Sequence, residues 1–575
     1  MIARLLRIAA LLAAVTVPAR AQDPAAPTRF VGTWEGTLDV NGSRVRLALI
    51  IERDTAGGIR GHFTNLDAGN LELPATVVAR GDTLTTRLSS YPTRYVAVID
   101  RSAATLTGTY SIPDAGFPLV LRRVAQLSAA TAIPYPARLA ADADIRAVLK
   151  KRVDQQRTRG IVVGVIDPDG RRIITYGERA KGDPTPLDGN TLFEIGSVTK
   201  VFTTLLLTEM VRRGDVALSD PAAKYLPDGW HMPERDGRQI TLLDLATHTS
   251  GLPRDATNLP RFTDAANPFA GFTPALLGEF LSSYKLPRAP EARYEYSNVG
   301  MGTLGYLLAR RAGMTYDALV RSRISDRLGM SSTRGSLDGT MVKRAARGHA
   351  VSLDAVPPLD IPVIEGAGVL RSTANDMLTF VSDELGVTDS PLRAAMSDAL
   401  ATRRPTGMAG LEVALGWHIT TISGHEIVWH NGGTPGFRAF VGFDRARRVG
   451  VVALSNSGAA EGVDDIGMWI LAGGGPLFDR APAPTITVDS KTFDTYVGRY
   501  QLAPGIVMEI SRDADRSYVQ LTGQPRFEIY ASAPREYFLK VVDARISFEV
   551  DSTGKSAALV LHQNGRDQRA PRIVP

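Results

Sequence analysis

Apolar and polar positions alternate at both ends of the chain, while a helical period takes over in the middle. From Phe30 to about Val124, short period-two runs are separated by turn residues. Val45, Leu47, Leu49 and Ile51 follow an Asn41-Gly42 pair whose positive-φ preference predicts a tight hairpin. A second set fills roughly Lys491 to Ile573, including Val507 to Ile510 and Tyr518 to Leu521. Both ends therefore read as small antiparallel β modules, barrels or sandwiches, over 28–125 and 488–575. Ala- and Pro-rich stretches, Val124 to Arg138 and Arg480 to Pro484, set them apart from a central unit over 139–479. There, Ile161 to Ile166 and Arg172 to Tyr176 predict a hairpin around Asp167-Pro168-Asp169-Gly170. Helices are predicted from Val198 to Arg213, from Thr273-Pro274 to Tyr284, from Gly300 to Arg311 before Gly313, and from Ser372-Thr373 to Leu385. Three strands follow, at His425 to His430, Phe437 to Phe443 and Val449 to Leu454. Helices inserted between an early hairpin and a late meander predict an α/β unit on one antiparallel sheet.

The first residues fit a targeting segment rather than a structural helix. Met1 to Arg7 is basic, Ile8 to Val17 is apolar but too short to span a bilayer, and Ala19-Arg20-Ala21 fits a cleavage site. Export is expected, with removal of residues 1–21 and a periplasmic or secreted mature chain. Arg4, Arg7 and Arg20 leave with that segment, which halves the formal charge of +6. A mild surplus spread among acids gives no reason to expect a nucleic-acid partner. No later apolar run is long enough for an integral span. The chain has no cysteine, so disulfides, thiol catalysis and thiolate zinc sites are excluded. Oligomeric state is not encoded in any of these patterns.

Phosphate loops, HExxH and GxSxG are absent, and neither a metal nor a cofactor is expected. Ser197-Val198-Thr199-Lys200 does open a strongly patterned helix. Residues three apart share a helix face, so the amine can approach the hydroxyl. A lysine in a closed site loses pKa and can accept the serine proton, and the helix N-terminus favours an oxyanion. Ser282 to Lys285 and Ser552 to Lys555 share the spacing, so spacing alone equally fits a capping serine beside a solvated lysine. Tyr296-Ser297-Asn298 is the one Y-x-N in the sequence and His430-Asn431-Gly432 the one H-x-G, followed by Gly433. A phenol near a lysine can carry protons, an asparagine can hold lysine and substrate amide, and a glycine-bearing edge strand can pair with an extended substrate. Singly, each of these also fits a structural residue.

In that order the three boxes resemble the serine β-lactamase and penicillin-binding family, in its class C branch with D-alanyl-D-alanine carboxypeptidases, D-aminopeptidases and esterases. Phe193 to Gly196, Leu242 to Pro253, Arg327 to Met330 and Gly368 to Met377 are similar to that branch too. The resemblance implies a helical subdomain beside an α/β subdomain with the active site between them. It implies Ser197 as acylated nucleophile, Lys200 and Tyr296 as proton-transfer partners, and the backbone N–H groups of Ser197 and Gly433 as oxyanion hole. Asn298, His430, Asn431 and Gly432 would bind substrate. His430 stands where efficient class C β-lactamases have lysine, and Asn431 where a hydroxyl residue is usual. A neutral imidazole attracts a carboxylate less than an ammonium does, so a peptidase or esterase is expected ahead of an efficient β-lactamase. His248 and Ser250 are read as a structural loop. The end modules resemble lipocalin-like units. The rival of another class is a catalytically silent ligand-binding or sensor protein.

Overall fold

The computed structural model describes residues 28–573 except 41–42, 54–57, 67–70, 89–93, 113–114, 129–138, 261–266, 268, 409, 423, 460–461, 474–476, 478–484, 504, 523–525, 540–543, 553 and 564–565. The targeting segment, the Asn41-Gly42 turn, Arg480 to Pro484 and most of the first linker lie outside the described residues.

Strands Gly32–Val40 to Ala115–Val124 pair in sequence order and close, eight in all, into a barrel. Alternation sends Leu47, Leu49 and Ile51 inward, where Trp34, Phe63, Tyr95 and Leu119 fill the lumen. The C-terminal module is a second eight-stranded antiparallel sheet, from Gly498–Ala503 to Arg566–Pro571. A Tyr500–Arg572 bridge and Ile573 N donating to Arg499 O (2.8 Å) bring its first and last strands together. Arg516 of this module forms two hydrogen bonds to Asp354 of the central unit, at 2.5 and 2.9 Å.

The central sheet has eight antiparallel strands in the order Gly170–Gly177, Gly160–Asp167, Val449–Ser455, Arg438–Asp444, His425–Gly433, His418–Ile422, Leu411–Val413, Arg404–Met408. The expected hairpin and meander join directly, and the three strands between Arg404 and Ile422 are additional. Within strand Gly160–Asp167 the residues from Ile161 to Ile166 form an unbroken apolar run, as suits a strand covered on both faces. Ile161, Val163 and Val165 pack with Ile145, Leu149, Ile466 and Ile470 of helices Asp142–Asp154 and Asp464–Ala472. Val162 and Ile166 join the opposite core with Phe202 and Phe380, from helices Thr199–Arg212 and Ala374–Glu384. The helical subdomain carries Pro274–Ser283, capped by Thr273, and Asn298–Ala312, which ends on Gly313 at φ 66°.

Candidate active site

Ser197 lies in a 3-10 turn, Gly196–Val198, that runs into helix Thr199–Arg212. The turn abuts the last residues of strand His425–Gly433, and only glycine permits the approach. A Cβ on Gly432 would fall 1.9 Å from Ile195 O and 3.2 Å from Ser197 N. Gly196, at φ +49°, would place one 2.8 Å from Gly433 N. The backbone amides of Ser197 and Gly433 are thus brought to one corner.

Lys200, one helical turn on, is fully buried while Ser197 keeps partial exposure. Its Nζ lies 2.8 Å from Ser197 Oγ and donates to Ala367 O at 2.7 Å. The turn supplying that carbonyl is tied to the same helix by Thr203 Oγ1 donating to Gly366 O (2.7 Å) and Leu370 N donating to Thr199 Oγ1 (3.1 Å). Burial first, then the Arg254 charge, hold Lys200 well below the ordinary amine range. Burial pushes the Tyr296 phenol up to about 12, against the opposing influence of the Ser197 hydroxyl. The arrangement brings an amine depressed from its ordinary range and a neutral phenol to one hydroxyl.

Box two is set by the loop that the sequence reading treats as structural. His248, at φ 59°, accepts from Ser297 N through Nδ1 (3.1 Å), and its ring lies 4.5 Å from that of Tyr296. Ser297 Oγ donates to Pro253 O (2.6 Å), and Asn298 N donates to Arg254 O (2.7 Å). His248 and Ser250 have separate partners, since Ser250 Oγ accepts from Leu252 N (3.3 Å). The loop both shapes the chain and positions Tyr296.

Three expectations are corrected. Asn298 does not hold Lys200: its Nδ2 donates to Asp255 Oδ1 at 2.9 Å, because the helix start turns it toward the Arg254-Asp255 corner. Asn431 points away from the nucleophile, since successive residues of a strand face opposite sides of a sheet. Its Nδ2 donates to Asp464 Oδ2 (2.5 Å) on the reverse face. Strand His425–Gly433 is interior, paired on both sides, but its neighbour His418–Ile422 begins opposite Trp429. From His430 to Gly433 one side is therefore free of that neighbour, which gives an open edge only locally.

His430 faces the site. It is buried, its ring lies 6.4 Å from that of Tyr296 and 5.1 Å from that of His418, and its Nδ1 lies 2.6 Å from Asn431 O. Burial, then the His418 and Lys200 charges, hold His430 well below the usual imidazole range. Burial, then Lys200, bring His418 to about 4, and burial also holds His248 well below the usual imidazole range. Sequence reasoning missed His418, Arg254, Asp255 and the Ala367 carbonyl. Among the described residues no cluster of three or more His, Asp or Glu could hold a metal, and no helix is long and apolar enough to cross a membrane.

The family profile of β-lactamases matches residues 145–472, and that of a domain of unknown function, DUF3471, matches residues 482–571. The chain is 29% identical over 342 residues to the D-alanyl-D-alanine-carboxypeptidase/endopeptidase AmpH of Escherichia coli, covering 55% of this chain and 86% of AmpH. It is 25% identical over 426 residues to penicillin-binding protein 4* of Bacillus subtilis, covering 69% and 91%. Among solved structures, the D-alanine carboxypeptidase AmpC from Burkholderia cenocepacia is 25% identical, with a TM-score of 0.46, covering 55% of this chain and 94% of that one. Profile and boxes agree over the central unit, and the chain belongs to the serine β-lactamase and penicillin-binding family of hydrolases.

Proposed function

We propose that the protein is an exported serine hydrolase that forms an acyl-enzyme on Ser197 and acts on peptides containing D-amino acids or on small esters. The observation that carries this reading is the buried Lys200 amine 2.8 Å from the part-exposed Ser197 hydroxyl. Lys200 is the base. With one N–H engaged by Ala367 O, its lone pair takes the Ser197 proton as Oγ attacks the substrate carbonyl carbon. The oxyanion is held by Ser197 N–H and Gly433 N–H, at about 2.7 to 4 kcal/mol per donor. Tyr296 passes the proton from the Lys200 ammonium to the leaving nitrogen or oxygen as the carbonyl re-forms. Water then cleaves the acyl ester through the same relay in reverse. Substrate lies along the open edge from His430 to Gly433, with His430 and Asn298 at its flanks. Asn431 supports that edge from behind through Asp464. The names of the relatives, carboxypeptidase and penicillin-binding protein, favour D-alanyl peptides. Export rests on the basic, apolar and small-residue parts of residues 1–21.

A substrate panel tests the reading. A short-chain aryl ester and an acylated D-Ala-D-Ala peptide should both be turned over, and both activities should vanish in Ser197→Ala. Turnover that survives in Ser197→Ala would overturn it.

A further inference from the structure

Arg254 is held in place by box two. Its carbonyl accepts from Asn298 N (2.7 Å) and Val299 N (3.2 Å), while the residues on either side are fixed by Ser297 Oγ to Pro253 O and by Asn298 Nδ2 to Asp255. Its guanidinium is exposed and lies over the Tyr296 ring, with Cζ 5.1 Å from the centroid. It makes no hydrogen bond or ion pair with any described residue. Among the described residues, several other cations are committed or enclosed. Arg288 pairs with Glu295, and Arg438 donates to the carbonyls of Thr434, Phe437 and Gly458. Lys200 is sealed between Ser197 and Ala367, and His248, His418 and His430 are buried in one aromatic cluster around Tyr296. The third box, which begins with His430, supplies no exposed cation. One acid, Asp255, shares the corner, where it accepts from Asn298.

Resting on the acyl-enzyme reading above, we propose that Arg254 is the substrate-recognition residue for a carboxylate carried by the leaving group. Tyr296 delivers its proton to the departing atom, so whatever that atom belongs to sits beside the phenol. A guanidinium stacked on the same ring is placed to meet an anion there and offers the planar fork that fits a carboxylate. The favoured substrate is then an acyl compound whose leaving group ends in a free carboxylate, such as a peptide cut before its last residue, over an uncharged ester or an internal peptide bond.

The test uses two aryl esters that are identical except for a carboxylate or a carboxamide on the leaving phenol. Wild-type kcat/KM should favour the carboxylate by about tenfold or more, the scale of a hydrogen bond to a charged group. Arg254→Gln should cut that ratio by about tenfold, mostly through KM. Arg254→Lys should restore part of it, and high salt should erode the wild-type preference. A wild-type ratio near one, or a ratio unaltered in Arg254→Gln, overturns the proposal. Ser197 labelling by a fluorophosphonate, read by intact mass on the same preparations, separates the two readings. Labelled protein with an unaltered ratio removes the role of Arg254 alone, whereas unlabelled wild type removes the acyl-enzyme reading and this proposal together.

Discussion

Replacing Gly432 by alanine puts a methyl group where the nucleophile turn meets the third box. The new carbon would lie 1.9 Å from Ile195 O, 2.9 Å from its carbon and 3.2 Å from Ser197 N. All of these are backbone atoms, so no rotamer change relieves the contact. Nonbonded carbon and oxygen need more than about 3 Å, so strand and turn must separate by about 1 Å. The same separation moves Ser197 N away from Gly433 N, the two donors assigned to the oxyanion. A misplacement of about 1 Å in a reacting constellation costs on the order of 100-fold, and overpacking costs about 1–3 kcal/mol of stability. The cores on either face of the sheet are untouched, so Gly432→Ala should stay folded. The assay is the rate of Ser197 acylation by a fluorophosphonate, followed by intact mass, beside thermal melting of the same sample. Acylation should slow by on the order of 100-fold while the melt remains cooperative. A cooperatively folded Gly432→Ala protein that acylates within about threefold of wild type would refute the geometry.

Lys200→Ala should lower the acylation rate by about 10²- to 10⁴-fold with the melt retained, and near-wild-type rates would remove the proton-transfer role. Wild-type acylation should also fall on the acid side, as Lys200, held below its ordinary range, takes up a proton. His418 titrates near 4 when folded against about 6.5 unfolded, so the unfolded chain binds more protons between those values. Stability should therefore fall as pH drops from about 6.5 to 4, by on the order of 3 kcal/mol from this group. Denaturant titrations across that window should show a shallower slope in His418→Asn, and identical slopes would contradict the assignment. Asp465→Ala strands Arg152, its partner in a buried ion pair joining helix Asp142–Asp154 to helix Asp464–Ala472. Equilibrium unfolding should show a loss of about 3–5 kcal/mol, and a loss below about 1 kcal/mol would mean that the site relaxes or admits water.

The elements that depend on local pattern were legible in the sequence. Period-two runs marked both end modules, and the serine-lysine spacing marked one face of one helix. The reverse-face placement of Asn431 follows from alternation with an inward His430, but the family resemblance put His430, Asn431 and Gly432 together at the substrate. The strands between Arg404 and Ile422 were hidden because Pro405 and a register shift before Met408 interrupt the alternation. The remaining partners of the site left no local trace. Ala367 contributes a backbone carbonyl, which no residue type signals. Arg254 and Asp255 reach box two through contacts to Asn298, which is 43 positions from Asp255 in the chain. His418 joins through a ring stack with His430 that only the pairing of neighbouring strands creates.

Every proposed step depends on acylation of Ser197. Intact-mass spectrometry after incubation with a β-lactam and with a fluorophosphonate, followed by peptide mapping, tests it most directly. One adduct per chain is expected on the peptide containing Ser197, absent in Ser197→Ala. A folded wild-type protein that takes no adduct from either reagent, or takes it on another residue, would contradict it.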